Sequence, residues 1–275
     1  MGDIKIDPVS DGSFRLDGGA VFGVVPRALW EKERSPDKDN RVLFGLNPLL
    51  VRTETENILV ETGIGEKGDE RFKSVYCVDK NETLSKSLRA LGLTESDITI
   101  VINTHLHFDH AGGNTAVIDG AVTPAFPNAR YFVQRGEWEA ATRPNERTRA
   151  SYREEDFAPV MEAGQMNLIE GDGEITKGVS VFRAPGHNRD IQLVRVESAG
   201  AKALFLSDTV PTTTHLKLPY IMGYDLFPME TLKIKKELLK RASDEGWLLV
   251  FCHDPETGAG YLRIKGEEQV FTKVF

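Results

Sequence analysis

The sequence predicts an α/β fold, and three patterns carry that expectation. Short apolar, β-branched runs such as ITIVI at 98–102 are bounded by polar residues, as suits strands of a sheet covered on both faces. Segments with leucine at helical spacing alternate with them, notably METLKIKKELLKRASDEG at 229–246. Histidine and aspartate recur where the apolar runs end, which is where α/β sheets gather their sites.

The densest of these ends is THLHFDHAGG at 104–113. His105 and His107 lie two apart, so a tightly turning backbone can bring both imidazoles to one side. Asp109 and His110 follow on a turn that Ala111, Gly112 and Gly113 keep uncrowded. Imidazole nitrogen suits Zn, Fe and similar ions, and a carboxylate adds charge for a second ion. A single histidine is more often a surface or core residue than a ligand, but three with an aspartate inside six positions form a pattern. Downstream, His187 follows VSVFRAPG, Asp208 ends ALFLSD and His253 ends WLLVFCH.

The ordered set THLHFDHAGG, PGH, LSD and a final histidine after a strand resembles the metallo-β-lactamase superfamily of metal-dependent hydrolases. That resemblance spans most of the chain. It implies an αββα sandwich of two mixed sheets flanked by helices. It also implies a centre for two divalent metal ions, zinc first, with Fe, Mn or Co as alternatives. His105, His107 and His187 match the ligands of one ion, Asp109, His110 and His253 those of the other, and Asp208 the bridge.

With 275 residues and no evident repeat, the whole of 1–275 is expected to form one hydrolase domain. A net charge of -8, from 34 basic against 42 acidic residues, opposes nucleic-acid binding, which needs clustered Lys and Arg. Two cysteines make no disulfide framework, so a reduced compartment is the simpler assumption, and Cys252 reads as packing. The opening residues lack an apolar leader core and no stretch is long enough to span a bilayer. A soluble, cytoplasmic protein with no membrane partner is expected.

Residues 3–17 read as two short strands. DGGAVFGVVPRALW, 17–30, is apolar but broken by glycines and Pro26, so it reads as a loop over a pocket or as a lid on the core formed by Phe22, Val24 and Trp30. The charged EKERSPDKDNR should be solvated. LLVRTETENILVET reads as two strands around a polar turn, and EKGDERFKSVYCVDK as irregular. Leu84, Leu88 and Leu91 mark a helix with Asn81 as its cap and Gly92 as its stop, and TESD at 94–97 has capping-box form. After the histidine cluster, ARYFVQ is a strand and GEWEAAT a short helix. The charged 143–158 stretch is either a solvated surface helix or a cap or dimer arm. NLIEGDGEITKGVSVFRAPGH supplies two strands, IQLVRVE and KALFLSD two more, and YLRIK and QVFTKVF close a sheet. PTTTHLKLPYIMGYDLFP leaves Asp208 at once and should line the pocket, which makes His215 and Tyr224 candidates for substrate contact.

Two ions about 3.5 to 4 Å apart can hold a hydroxide between them and bring the pKa of water to about 7, so the expected nucleophile is a metal-bridging hydroxide. Asp208 would bridge, and Asp109 would also shuttle a proton. Antibiotic-inactivating members of the superfamily lack the aspartate bridge, and the flavodiiron branch has glutamate at the place of His107. The acidic balance opposes the tRNA-processing nucleases, and the basic C-terminal domain usual in glyoxalase II is not evident. The layout resembles the quorum-quenching lactonase and organophosphate hydrolase branch. It implies opening of a small-molecule ester or lactone of the acyl-homoserine type, with phosphotriester or phosphodiester hydrolysis as the alternative. A non-catalytic binding protein on the same fold would be marked by lost ligands, and all seven are present. The chain departs from the familiar lactonases at Pro211, where they carry tyrosine three positions after the bridging aspartate. It departs again at Asp190, where many members repeat Gly-His.

Overall fold

A computed structural model describes residues 2–266 and 268–275. The chain divides into two compact units, one formed by the residues up to Gly12 with Leu46–Asp172, the other by Ser13–Gly45 with Gly173–Phe275.

The first unit is built on a six-stranded mixed sheet in the order Lys5–Pro8, Leu49–Arg52, Asn57–Val60, Ile100–Ile102, Arg130–Gln134, Met166–Ile169. The first three strands run antiparallel and the last four parallel, so the carboxyl ends of Asn57–Val60 and Ile100–Ile102 lie side by side. Ile100, Val101 and Ile102 are fully buried, as a strand covered on both faces must be. Leu50, Leu59, Leu88, Val101, Tyr131 and Phe157 belong to the core of this unit.

The second unit carries a seven-stranded sheet in the order Gly173–Thr176, Val179–Arg183, Gln192–Ser198, Ala201–Phe205, Leu248–Val250, Ala259–Lys265, Glu268–Lys273. Its one parallel pair is Ala201–Phe205 with Leu248–Val250, joined through the helix Pro228–Glu245. That crossover places the ends leading to Asp208 and His253 on the same edge of the sheet. The helix turns Leu238, Leu239 and Ala242 toward Leu204, Trp247 and Leu249, and it stops at Gly246 in the left-handed conformation, φ 70°. A hairpin of Ser13–Asp17 and Arg41–Gly45 completes the unit.

Several local expectations change. Glu70–Tyr76 is a helix where irregular chain was expected, because Asp69 accepts the Phe72 N–H at 2.7 Å and supplies the cap. Thr83, not Asn81, caps Leu84–Ala90. The 17–30 stretch forms two one-turn helices, Gly18–Phe22 and Arg27–Trp30; Phe22 and Trp30 are buried and stack at 5.0 Å, while Val24 is 90% exposed. The reading of this stretch as a cover on the core therefore holds for Phe22 and Trp30 and fails for Val24. Residues 143–150 form exposed turns rather than a helix, and Ser151–Phe157 folds back into the first unit. Among the described residues no helix is long and apolar enough to cross a membrane.

Leu59 is fully buried in the strand that precedes Glu61. Leu59→Ala should cost about 2–5 kcal/mol in urea unfolding, the usual range for a core leucine whose cavity cannot close. A loss below about 1 kcal/mol would mean that the strand end tolerates repacking.

Candidate active site

In the first unit the histidine loop leaves Ile102 and enters a one-turn helix, Phe108–Ala111, with His107 at its cap position. Its fold depends on two close backbone approaches. A Cβ on Gly112 would meet the Ile64 carbonyl oxygen at 2.2 Å, and one on Gly113 the Thr62 carbonyl oxygen at 2.2 Å. Glycine is needed there for packing, not only for turning.

Glu61 organises the imidazoles. It follows its strand with φ 63°, a costly conformation for a residue with a side chain, and is held by N–H bonds from Glu61 to Ile102 O and from Thr62 to His110 O. Its carboxylate accepts from Thr104 Oγ at 2.5 Å and lies 2.8 Å from His110 Nδ1. The Thr104 hydroxyl, having given its proton to Glu61, accepts from His105 Nδ1 at 3.0 Å. The His105 Nδ1 is thereby placed as a donor, with its Nε2 turned away from Glu61. The His105 ring lies 4.1 Å from that of His110 and 4.5 Å from that of His107. His110 Nε2 stands 3.5 Å from Asp109 Oδ2. Glu61, His105 and His110 each offer a ligand atom, all within 4.8 Å of one another.

Buried Glu137 supports the loop from below, accepting from the Leu106 N–H and the Tyr152 hydroxyl, both at 3.0 Å. Tyr152 packs edge-on against His107 at 4.9 Å, and Phe108 N–H bonds Ser151 O. The 151–152 part of the charged stretch is thus a buttress of the histidine loop. Tyr76 and Phe72, on the unforeseen helix, pack against Phe108 at 4.9 and 5.2 Å. Burial, with the Asp109 carboxylate adding to it, pushes the Tyr76 phenol above its ordinary pKa.

The second unit repeats this logic. His253 Nδ1 donates to Gly45 O at 2.8 Å and His187 Nδ1 to Asp225 Oδ1 at 3.0 Å. Asp208 lies between the two rings, Oδ1 at 3.2 Å from His253 Nε2 and Oδ2 at 3.3 Å from His187 Nε2. In a neutral ring with Nδ1 protonated, the Nε2 lone pair would face an anionic oxygen, an arrangement that repels unless a cation is shared between them. That donor set fits a divalent metal. Asp208 sits in the 3₁₀ turn Ser207–Thr209, and Ser207 has φ 44°, so a left-handed residue marks this strand end as Glu61 marks the other. Cys252 is buried, its thiol donating to Asp208 Oδ1 at 3.6 Å. Asp190 pairs with Arg183 at 2.6 Å.

The family model of the metallo-beta-lactamase superfamily matches residues 42–253. The chain belongs to the metallo-beta-lactamase superfamily. The fold expected from the sequence, mixed sheets flanked by helices, is the fold of this superfamily. An N-acyl homoserine lactonase of Bacillus thuringiensis is 29% identical over 221 residues, 75% of this chain and 80% of that protein. A solved "probable metal-dependent hydrolase from Staphylococcus aureus" superposes with a TM-score of 0.93 at 29% identity, covering 100% of this chain and 98% of that one. An N-acyl homoserine lactone hydrolase with N-hexanoyl-L-homoserine bound at its catalytic metal centre gives 0.69 at 26% identity, covering 93% and 95%.

Of the other sequence candidates, Tyr224 is 36% exposed and immediately precedes Asp225. His215 is buried at 1% exposure, donates from Nε2 to Val21 O at 3.1 Å, accepts from Thr212 Oγ at 2.8 Å and stacks on Phe22 at 5.3 Å. Glu61, Glu137 and Asp225 were not foreseen. The ETG that follows the ILV strand was the one available signal for Glu61, and none pointed to the other two.

Burial drives the His215 pKa from 6.5 down to about 3, with the Lys235 charge acting in the same direction. The unfolded chain takes up this proton below about pH 6.5 and the folded one does not until about pH 3. The stability that neutral His215 contributes is therefore intact above pH 6.5 and falls as the pH drops toward 3, by about 1.4 kcal/mol per pH unit. In urea melts at pH 7 and pH 5, the stability difference between wild type and His215→Gln should shrink by about 2 kcal/mol at the lower pH. An unchanged difference would mean that the imidazole titrates normally inside the fold.

Proposed function

We propose that this superfamily member is a dinuclear metal-dependent hydrolase that opens the ring of an acyl-homoserine-type lactone. It is a metal-dependent hydrolase of the lactonase type, acting on ester bonds. The observation that carries the dinuclear reading is Asp208, whose two oxygens each face the Nε2 lone pair of a different histidine. Following the superfamily's ligand set, we assign His105, His107 and His187 to one ion and Asp109, His110 and His253 to the other. Asp208 is shared, and 1–275 works as one hydrolase domain.

When bound, such ions lower the pKa of water to about 7 and polarise the scissile carbonyl. The side chains supply the rest. Thr104, Gly45 O and Asp225 hold the rings of His105, His253 and His187 in place. In the reaction, water adds to the lactone carbonyl carbon, the ring C–O bond breaks, and the leaving alkoxide takes up a proton carried by Asp109. Exposed Val24, with Leu29 at 52%, offers apolar surface to an acyl chain in the 20–30 segment. Tyr224 is assigned a substrate contact. His215 we assign to anchoring the 18–22 turn that leads into that segment, because both its ring nitrogens are engaged within the fold.

Elemental mass spectrometry on the purified protein should find two equivalents of divalent metal, zinc first, and chelation should abolish lactone turnover. A panel of lactones against aryl phosphotriesters and phosphodiesters should favour an acyl-homoserine lactone. Phosphotriester turnover without lactone turnover would replace the substrate assignment while leaving the metal centre standing. Asp208→Ala should lower kcat/KM at least about 100-fold, as loss of a group on which both ions depend requires, and release one metal equivalent. An active Asp208→Ala protein with two equivalents would remove the bridge from the mechanism.

A further inference from the structure

His187 is gripped by one segment of its own unit through more bonds than its role as a loop residue requires. The Leu226 N–H bonds the His187 carbonyl at 3.0 Å, and the Phe227 N–H bonds the Gly186 carbonyl at 2.8 Å. Between them Asp225, 5% exposed, accepts the His187 Nδ1–H at 3.0 Å, and its other oxygen accepts the Thr231 hydroxyl at 2.6 Å. Thr231 lies in the first turn of the helix Pro228–Glu245 and is itself buried. A Cβ at Gly186 would meet Thr231 Oγ at 2.3 Å, so the glycine before His187 is what lets the loop seat on that turn.

A buried carboxylate is costly unless each oxygen finds a donor, and here the two donors are an imidazole and a hydroxyl. The first bond leaves His187 one way to carry its proton, on Nδ1, and turns the Nε2 lone pair to Asp208. The second fixes the carboxylate plane, so the ring cannot swing without breaking the bond to the helix. We propose that Asp225, held by Thr231, is a positioning residue that presets the tautomer and orientation of His187 for a divalent cation. The inference rests on the assignment of His187 as a metal ligand and adds to it a loop carboxylate, Asp225, anchored to the helix through Thr231, outside the ligand set.

The test uses the zinc-loaded full chain and a competing chromogenic chelator. Asp225→Ala should weaken binding of one zinc ion about 10- to 100-fold, the usual cost of losing such an orienting group, and leave the other within about threefold. Asp225→Asn should fall between, since its amide oxygen still accepts from the ring, and Thr231→Val should lose about three- to tenfold, less than Asp225→Ala, because it removes only the support of the carboxylate. Saturating zinc should restore kcat in the Asn and Val variants, which separates positioning from damage to the fold. On metal-free protein, nitrogen-detected NMR of the histidine rings should report the Nδ1–H form of His187 in wild type and a mixed population in Asp225→Ala. If Asp225→Ala does not fold, the Asn and Val variants carry the same comparison. His187→Ala separates the two levels. If it releases one ion while the Asp225 and Thr231 variants bind zinc like wild type, the positioning role is overturned and the ligand assignment stands. If His187→Ala itself keeps two ions at wild-type affinity, both fall.

Discussion

An imidazole can turn one ring nitrogen outward as a lone pair only when the other N–H has an acceptor behind it, and the histidine cluster of each unit depends on that constraint. His105 gives its Nδ1 proton to Thr104, His253 to the Gly45 carbonyl and His187 to Asp225, while His110 Nδ1 lies 2.8 Å from Glu61. Three different kinds of acceptor, a hydroxyl, a backbone carbonyl and a carboxylate, do the same electrostatic work. In the first unit Glu61 and Thr104 follow a parallel pair of strands whose carboxyl ends lie together, and in the second the parallel pair leads to Asp208 and His253. The backbone then departs through a residue in the left-handed region, Glu61 in one unit and Ser207 in the other. Such conformations cost on the order of 1 kcal/mol or more, and they persist where surrounding bonds determine them, as the Glu61 and Thr62 amides do here.

The histidines and aspartates of the candidate site were legible in the sequence, and the groups packed behind them were not, for a physical reason. Ligands are concentrated, reactive side chains at the ends of β-branched runs, so local spacing and strand patterning reveal both the residue and its setting. An orienting group needs only to be an acceptor in the right place. Gly45 acts through a backbone carbonyl, which has no signature at all, and Asp225 looks like any aspartate in a proline-rich loop. The same division appears in the fold. The strands around 49–60, 100–102 and 201–205 announce themselves by continuous burial, and the helix 228–245 by its leucine stripe and terminal glycine. The helix 70–76 has too few turns for a stripe, and its start rests on one capping bond from Asp69.

His215 shows why a histidine near a site is a poor guide to chemistry when its surroundings are unknown. Its sequence setting, in a loop leaving Asp208, suggested a group facing substrate. In the fold the ring is enclosed, one nitrogen donating to Val21 and the other accepting from Thr212, with Phe22 stacked on its face. Burial that suppresses its charge also removes it from acid–base work near neutrality. What the ring does is tie the 213–216 turn to the 18–22 turn, and the apolar 20–30 segment begins from that anchor.

The acidity of the chain and the neutrality of its site histidines belong to one argument. Glu61, Asp109, Asp208 and Asp225 are all buried, each close to an imidazole, and the Lys235 charge acts on Asp225. Imidazoles and hydroxyls return only part of the cost of taking a carboxylate out of water, several kcal/mol for each ion. Protonating the rings would supply charge, but it would consume the lone pairs that the Nδ1 acceptors are arranged to expose. Two divalent cations would offset four carboxylates and leave every ring neutral, satisfying the charge balance and the lone-pair geometry together. On this reading the metal ions are part of what makes the buried carboxylates tolerable, so folding and metal binding draw on the same interactions.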